Sequence, residues 1–169
     1  MPYSSGIKLE AKYVAKLGAT AKVDNLHAIY NAVLNKWFPS SEGYAIDRQV
    51  LCGAGGSGRK SFFVCHAGDH RDPLLIVELK RPAKWNDAGK QEVLKDLTES
   101  IQAQFDETHY NTIHGFGGIG LHWMVCKMEK DGLPVPTTVL DWHNVRLRGC
   151  SGVDIQHLLK GYIYVHKLY

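Results

Sequence analysis

The chain has 169 residues, 44% of them hydrophobic, with a formal net charge of +3. That length and composition describe one globular domain spanning 1–169, large enough for a real core. No apolar run approaches the roughly 18–20 residues that span a bilayer, and Met1-Pro-Tyr-Ser-Ser does not open a signal peptide, so the expectation is an intracellular protein with no membrane partner.

From the N-terminus, Lys8, Lys12 and Lys16 recur every fourth residue beside Leu9, Tyr13 and Leu17, a spacing that permits a short amphipathic helix. A clearer helix follows. Asp24 can cap it, Leu26, Ile29, Tyr30, Val33, Leu34 and Trp37 form one apolar stripe, and Pro39 stops it. Tyr44-Ala-Ile-Asp47-Arg-Gln-Val-Leu51 then reads as a strand with an acid embedded among apolar residues.

Gly53-Ala-Gly-Gly-Ser-Gly58 is a turn, and Ser61-Phe-Phe-Val-Cys-His66 a second strand. The run through Ser61 nearly spells a phosphate-binding loop, but Arg59 breaks the spacing and a strand follows where a helix is needed. A hairpin loop is the better reading, and a nucleotide-binding protein built on Gly53–Ser61 the weakest functional one. His66 and His70 have no second Cys/His pair to complete a zinc site. Cys52, Cys65, Cys126 and Cys150 are scattered without metal or disulfide-framework spacing and read as free thiols.

The centre of the sequence is Leu74-Leu-Ile-Val-Glu-Leu-Lys80. It reads as a strand buried on both faces that ends in a carboxylate and an amine. Residues two apart on a strand share a face, so Glu78 and Lys80 point the same way. Three consecutive strands form a meander that can bring Asp47 beside Glu78. Two carboxylates and a lysine make a site for a hard divalent cation, with the amine near the attacking water or the scissile phosphate. Asp72, before Pro73, is the rival for the first acid, although it reads as a turn residue.

These residues, Asp47 in Gly43-Tyr-Ala-Ile-Asp47-Arg and the Glu78-Leu79-Lys80 E-x-K element, resemble the PD-(D/E)XK nuclease superfamily, most closely its recombination and exonuclease branches. The resemblance covers about the first two thirds of the chain by element order. It implies an α/β fold with a mixed central sheet flanked by helices, a restriction-endonuclease-like α-β-β-β-α-β core. It further implies Mg2+ or Mn2+ held by Asp47, Glu78 and the Leu79 carbonyl, with Lys80 orienting the attacking water. The expected activity is metal-dependent phosphodiester hydrolysis, with DNA favoured over RNA and a homodimer possible. Glutamine on the following helix faces the active site in the resembling branches, which makes Gln102 and Gln104 candidates, although the full Q-x-x-x-Y pattern is absent. His27 and Glu10 match the helix that precedes the sheet, but the bland reading, a satisfied histidine and a surface acid, prevails for both. Members of the superfamily also serve as silent binding modules, and that alternative stays open beside the enzyme.

After Lys80 the spacing predicts a helix from about Asp87 to Phe105 with Leu94, Leu97, Ile101 and Phe105 inward. Lys80, Arg81, Lys84, Lys90 and Lys95 lie where a phosphate backbone would run, though charge alone favours a solvated helix face. Ile113-His-Gly-Phe-Gly-Gly-Ile-Gly120 reads as a glycine-dense turn that permits close backbone approach. Leu121–Met128 and Thr137–Trp142 read as antiparallel strands joined by a turn at Lys130-Asp-Gly132. Ser151 or Asp154 can cap a last helix, and Tyr162–Tyr169 reads equally as strand or helix.

Overall fold

A computed structural model describes residues 5–51, 59–66 and 72–144. Most of the glycine loop at 53–58, together with His70, Cys52, Cys150 and the readings made for 151–169, lies outside them. Helices α1 (Ser5–Leu17) and α2 (Val23–Trp37) lead into strands β1 (Tyr44–Leu51), β2 (Arg59–His66) and β3 (Pro73–Lys80). Helix α3 (Asp87–Phe105) follows, then β4 (Thr112–Ile119), β5 (His122–Glu129) and β6 (Thr137–Asn144). The strands form one six-stranded sheet in sequence order. Every neighbouring pair is antiparallel except β3 and β4, which run parallel because α3 carries the chain back between them. The chain is therefore α/β with a mixed sheet, and among the described residues no helix is long and apolar enough to cross a membrane.

The alternation of the strands sorts the core into two layers. Leu75, Val77, Leu79, Phe116, Trp123 and Val125 pack with α1 and α2 on one face. Phe63, Ile76, Ile119, Met124 and Cys126 pack with Val93, Leu97 and Ile101 of α3 on the other. The apolar stripe of α2 is buried as its spacing predicts. Asp24 lies inside its first turn, and the Lys22 N–H is accepted instead by the Asn25 side chain at 2.9 Å. On α1 the inward residues are Ile7, Ala11 and Val14, which leaves Leu9 and Tyr13 exposed with the lysines. Helix α3 spans the expected residues and is capped by Asn86, which accepts from the Gly89 N–H at 2.8 Å.

Two expectations are corrected here. The glycine-dense stretch is the buried strand β4, not a turn. Its glycines serve the packing: a Cβ on Gly117 would lie 2.5 Å from Val93 Cγ1 and one on Gly115 2.7 Å from Cys126 Sγ, so their absence lets α3 lie close to the sheet. The second concerns α3: Leu97, Ile101 and Phe105 face inward as expected, but Val93, Asp96 and Ser100 join them and Leu94 is only partly buried. The helix is turned toward its polar side because two sheet residues on that side need polar partners.

Gly89 fixes where α3 starts, since a Cβ there would meet the Lys84 carbonyl oxygen at 1.9 Å. Gly89→Ala is expected to cost about 3 kcal/mol, at the upper end for overpacking, despite alanine's better helix propensity. In contrast, Gly6→Ala in α1 meets nothing within 4 Å and should be neutral or slightly stabilising. Urea denaturation of the two variants against wild type reads this difference directly.

Candidate functional site

The site grows from the end of β3. Glu78 and Lys80 lie on the α3 face, where the register places Glu78 opposite Gly117 and Lys80 opposite Ile119 of the parallel strand β4. With Gly117 beside it, Glu78 has room to meet the helix. Glu78 is buried, and its Oε1 accepts from Ser100 Oγ at 2.8 Å. The Lys80 ammonium meets two acids of the same helix, the buried Asp96 and, at 3.0 Å, Glu92. Glu92 in turn binds Lys84 at 2.9 Å. Residues two apart on a strand and four apart on a helix have similar spacing, about 6–7 Å. Glu78 and Lys80 therefore match Ser100 and Asp96 rung for rung.

Backbone contacts hold this end of the sheet. The Gly120 N–H donates to the Lys80 carbonyl at 3.0 Å, and the buried Tyr30 hydroxyl donates to the Gly120 carbonyl at 3.0 Å. Gly120 has φ +61°, in the left-handed region that a glycine adopts without strain. Leu79, between the two polar residues, turns its side chain into the opposite core layer.

The remaining candidates fall elsewhere. The meander forms as expected and puts Asp47 on the α3 face, opposite Phe63, which is itself opposite Ile76. Asp47 is thus two strands and one pleat step from Glu78, roughly 12 Å between Cα atoms. Phe63 stands between Asp47 and Ile76, and the β2 residue opposite Glu78 is Ser61. The register leaves the two acids diagonal on one face, not side by side. Asp72 precedes the opposite end of β3, roughly 20 Å along the strand from Glu78, where its Oδ2 accepts the His109 N–H at 2.9 Å. Gln102 is exposed on α3, with its amide 3.5 Å from the Pro134 carbonyl, and Gln104 is half-buried off the inward face. His27 packs edge-on against Phe62 in the other core layer, and Glu10 is exposed on α1. Cys65 and Cys126 are buried cysteines.

Sequence reasoning missed Asp96, Ser100 and Glu92. The available signal was an acid and a hydroxyl at i and i+4, each next to a residue of the apolar stripe. Burying Asp96 is expensive in isolation, so its position marks where a cation must meet it.

The lysine's environment is set by opposing effects. Burial acts to lower the Lys80 pKa, but hydrogen bonds and charge from Asp96 and Glu92 outweigh it and hold the ammonium above its ordinary 10.5. Lys84 and Lys80 together hold Glu92 below its ordinary 4.5. For Lys80, raised in the folded state, the stabilising contribution is fully present below pH 10.5 and is lost as pH rises through the higher folded value. For Glu92, lowered in the folded state, it is present above pH 4.5 and is lost as pH falls through the lower folded value. Cys126, pushed up to about 12 by burial, adds its own alkaline loss. Lys80→Met should therefore flatten, relative to wild type, the part of the alkaline stability loss above pH 10.5 and leave the Cys126 part unchanged, as read by urea midpoints across pH.

Among the described residues, no three His, Cys, Asp or Glu side chains converge as a metal-holding group. Magnesium needs only one or two carboxylates, since it retains several waters. The oxygen donors here, Glu78, Asp96 and the Ser100 hydroxyl, are of the hard type that suits Mg2+ or Mn2+. No protein-family model, no curated protein and no solved structure matches the chain.

Proposed function

We propose that the protein is a Mg2+- or Mn2+-dependent nuclease, an intracellular enzyme acting on phosphodiester bonds, with DNA favoured over RNA and a homodimer as a possible assembly. The observation that carries this reading is the pairing of Glu78 with Ser100 and of Lys80 with Asp96 at the carboxyl end of β3, beside the parallel strand β4. In open α/β sheets the carboxyl ends of parallel strands are where ligands gather. The order α2-β1-β2-β3-α3-β4 also agrees with the α-β-β-β-α-β order of a restriction-endonuclease-like core. That order and the E-x-K element together support the PD-(D/E)XK assignment.

In this reading Glu78 is the principal metal carboxylate, with the Leu79 carbonyl as the backbone ligand that the resemblance implies. Asp96 takes the place of the second acid, because Asp47 stands two strands away and Asp96 shares the Lys80 rung. Asp47 is the alternative for that role. A divalent ion bound there supplies a water of lowered pKa and offsets phosphate charge. Ser100 orients the Glu78 carboxylate through its hydrogen bond. Lys80 places a positive charge at the strand end where charge grows on the phosphate oxygens in the transition state, an effect worth roughly 3–4 kcal/mol when one such donor is lost. Asp96 and Glu92 keep Lys80 charged and fixed before substrate arrives. Gln102 and Gln104, facing away, have no part in this scheme.

A second reading is a silent binding module on the same fold. The two acids on Lys80 favour it, since an ammonium so compensated has less charge to offer a phosphate. Manganese binding followed by paramagnetic resonance separates the two. The enzyme reading expects Mn2+ to bind the wild-type chain and Glu78→Gln to weaken that binding at least tenfold. A folded wild-type chain that binds no Mn2+ leaves the module.

A further inference from the structure

The row of Lys80 continues across the sheet to an aromatic patch that the nuclease scheme does not use. Lys80 lies opposite Ile119 on β4, and Ile119 opposite His122 on β5, so His122 is two strands from Lys80, roughly 10 Å, on the same face. Trp85, just after the short 3-10 turn Pro82–Lys84, lies flat on the His122 ring with centroids 3.7 Å apart and planes 8° from parallel. Trp142 of β6 meets Trp85 edge-on at 5.3 Å. Trp85 is nonetheless 38% exposed, which makes it one of the few large apolar side chains open to solvent. The Lys90 ammonium lies over its ring, 4.8 Å from the centroid.

The imidazole is held for stacking. Its Nε2 stands 2.8 Å from the Asn144 amide nitrogen, which donates to it, and the ring also hydrogen-bonds the Ile119 backbone. Burial, with Lys90 nearby, holds its pKa below the ordinary value. A partly exposed indole on a rigid aromatic support, with an amine over it, fits a ligand that has both a flat ring and a negative charge. A nucleotide has both. Its base can take the place of the ammonium over the indole while Lys90 moves to the phosphate.

We propose that Trp85, supported by His122 and Trp142, is a base-stacking platform for single-stranded nucleic acid, with Lys90 and Lys84 on the phosphate backbone of the strand that leads to Glu78 and Lys80. This rests on the nuclease reading for the route of the strand, but the binding itself does not require cleavage. Base–aromatic stacking is tolerant of sequence, so the platform confers a preference for unpaired strands and little sequence selectivity.

The test measures fluorescence anisotropy of a labelled short oligothymidine, an abasic oligomer with the same number of phosphates, and a duplex, all in EDTA. It uses the wild-type protein and folded Trp85→Ala, Trp85→Phe and Lys90→Ala. Wild type is expected to bind oligothymidine more tightly than the abasic strand or the duplex, by about fivefold to a hundredfold for one stacked base. Trp85→Ala should erase that difference, Trp85→Phe keep part of it, and Lys90→Ala weaken binding to both single strands. Should Trp85→Ala not fold, Trp85→Phe and the abasic strand still decide. Equal affinity for oligothymidine and the abasic strand overturns the platform, as does tight binding that Trp85→Phe and Trp85→Ala both leave unchanged. A folded protein that binds none of the three strands overturns it in favour of a protein contact at this patch. Stacking without metal-dependent cleavage would sink the nuclease reading and leave the platform, and cleavage indifferent to Trp85 would do the reverse.

Discussion

Lys80→Ala is expected to destabilise the fold by about 3 kcal/mol, the low end for removing one member of a buried ion pair. Only 5% of the Asp96 side chain is exposed, and the substitution takes the ammonium from it. The low end applies because Glu92 is 39% exposed and water reaches that side of the network. For a chain of this size the melting temperature should fall by roughly 6–12 °C. Removing both charges tells the pair from the place: Lys80→Met with Asp96→Leu puts apolar bulk where the pair stood and should lie much closer to wild type than either single change. A thermal or urea cycle of the four proteins gives the coupling. A coupling near zero would mean that the contact contributes nothing to the fold. Activity comparisons that use Lys80 variants therefore need temperatures at which each protein is folded.

The second large effect separates the two acids that compete for one role. Glu78→Ala and Asp96→Asn are each expected to lower metal-dependent cleavage by at least about a hundredfold, the scale of losing one preorganised group at a reacting phosphate. Asp47→Ala should retain most of the activity, because Asp47 stands two strands away from Glu78. The measurement is single-turnover cleavage at saturating Mn2+, with folding matched by circular dichroism. The reverse order, with Asp47→Ala dead and Asp96→Asn active, would return the second metal position to β1 and imply that the sheet edge moves inward on binding.

The contrast between these acids shows what the residues alone could convey. Periodicity located α2, β1 and α3 well, because a stripe such as Leu26, Ile29, Tyr30, Val33 and Trp37 or an alternation such as Tyr44–Leu51 is local. It also showed that Glu78 and Lys80 share a face. Which element would meet that face is a long-range matter. Asp47 and Glu78 share a face as well, yet the strand that joins them in sequence keeps them apart in space. The partners came from α3, whose rotation is fixed by the lack of side chains at Gly115 and Gly117 and by the polar needs of β3. Leu97, Ile101 and Phe105 face inward as their spacing predicts, but counting Leu94 in place of Val93 leaves Asp96 and Ser100 among the surface residues. The glycines of β4 are similar: their fitness for close approach is local, whereas the helix that makes the approach to a strand rather than a turn is not.

The most direct measurement is cleavage of labelled single- and double-stranded DNA and RNA by the wild-type chain and Glu78→Gln, with Mg2+, with Mn2+ and with EDTA. The nuclease account predicts cleavage by wild type that requires metal, is stronger on DNA than on RNA, and is lost in Glu78→Gln. A folded wild-type protein that cuts none of these substrates with either metal, or a Glu78→Gln variant that cuts as well as wild type, would contradict it.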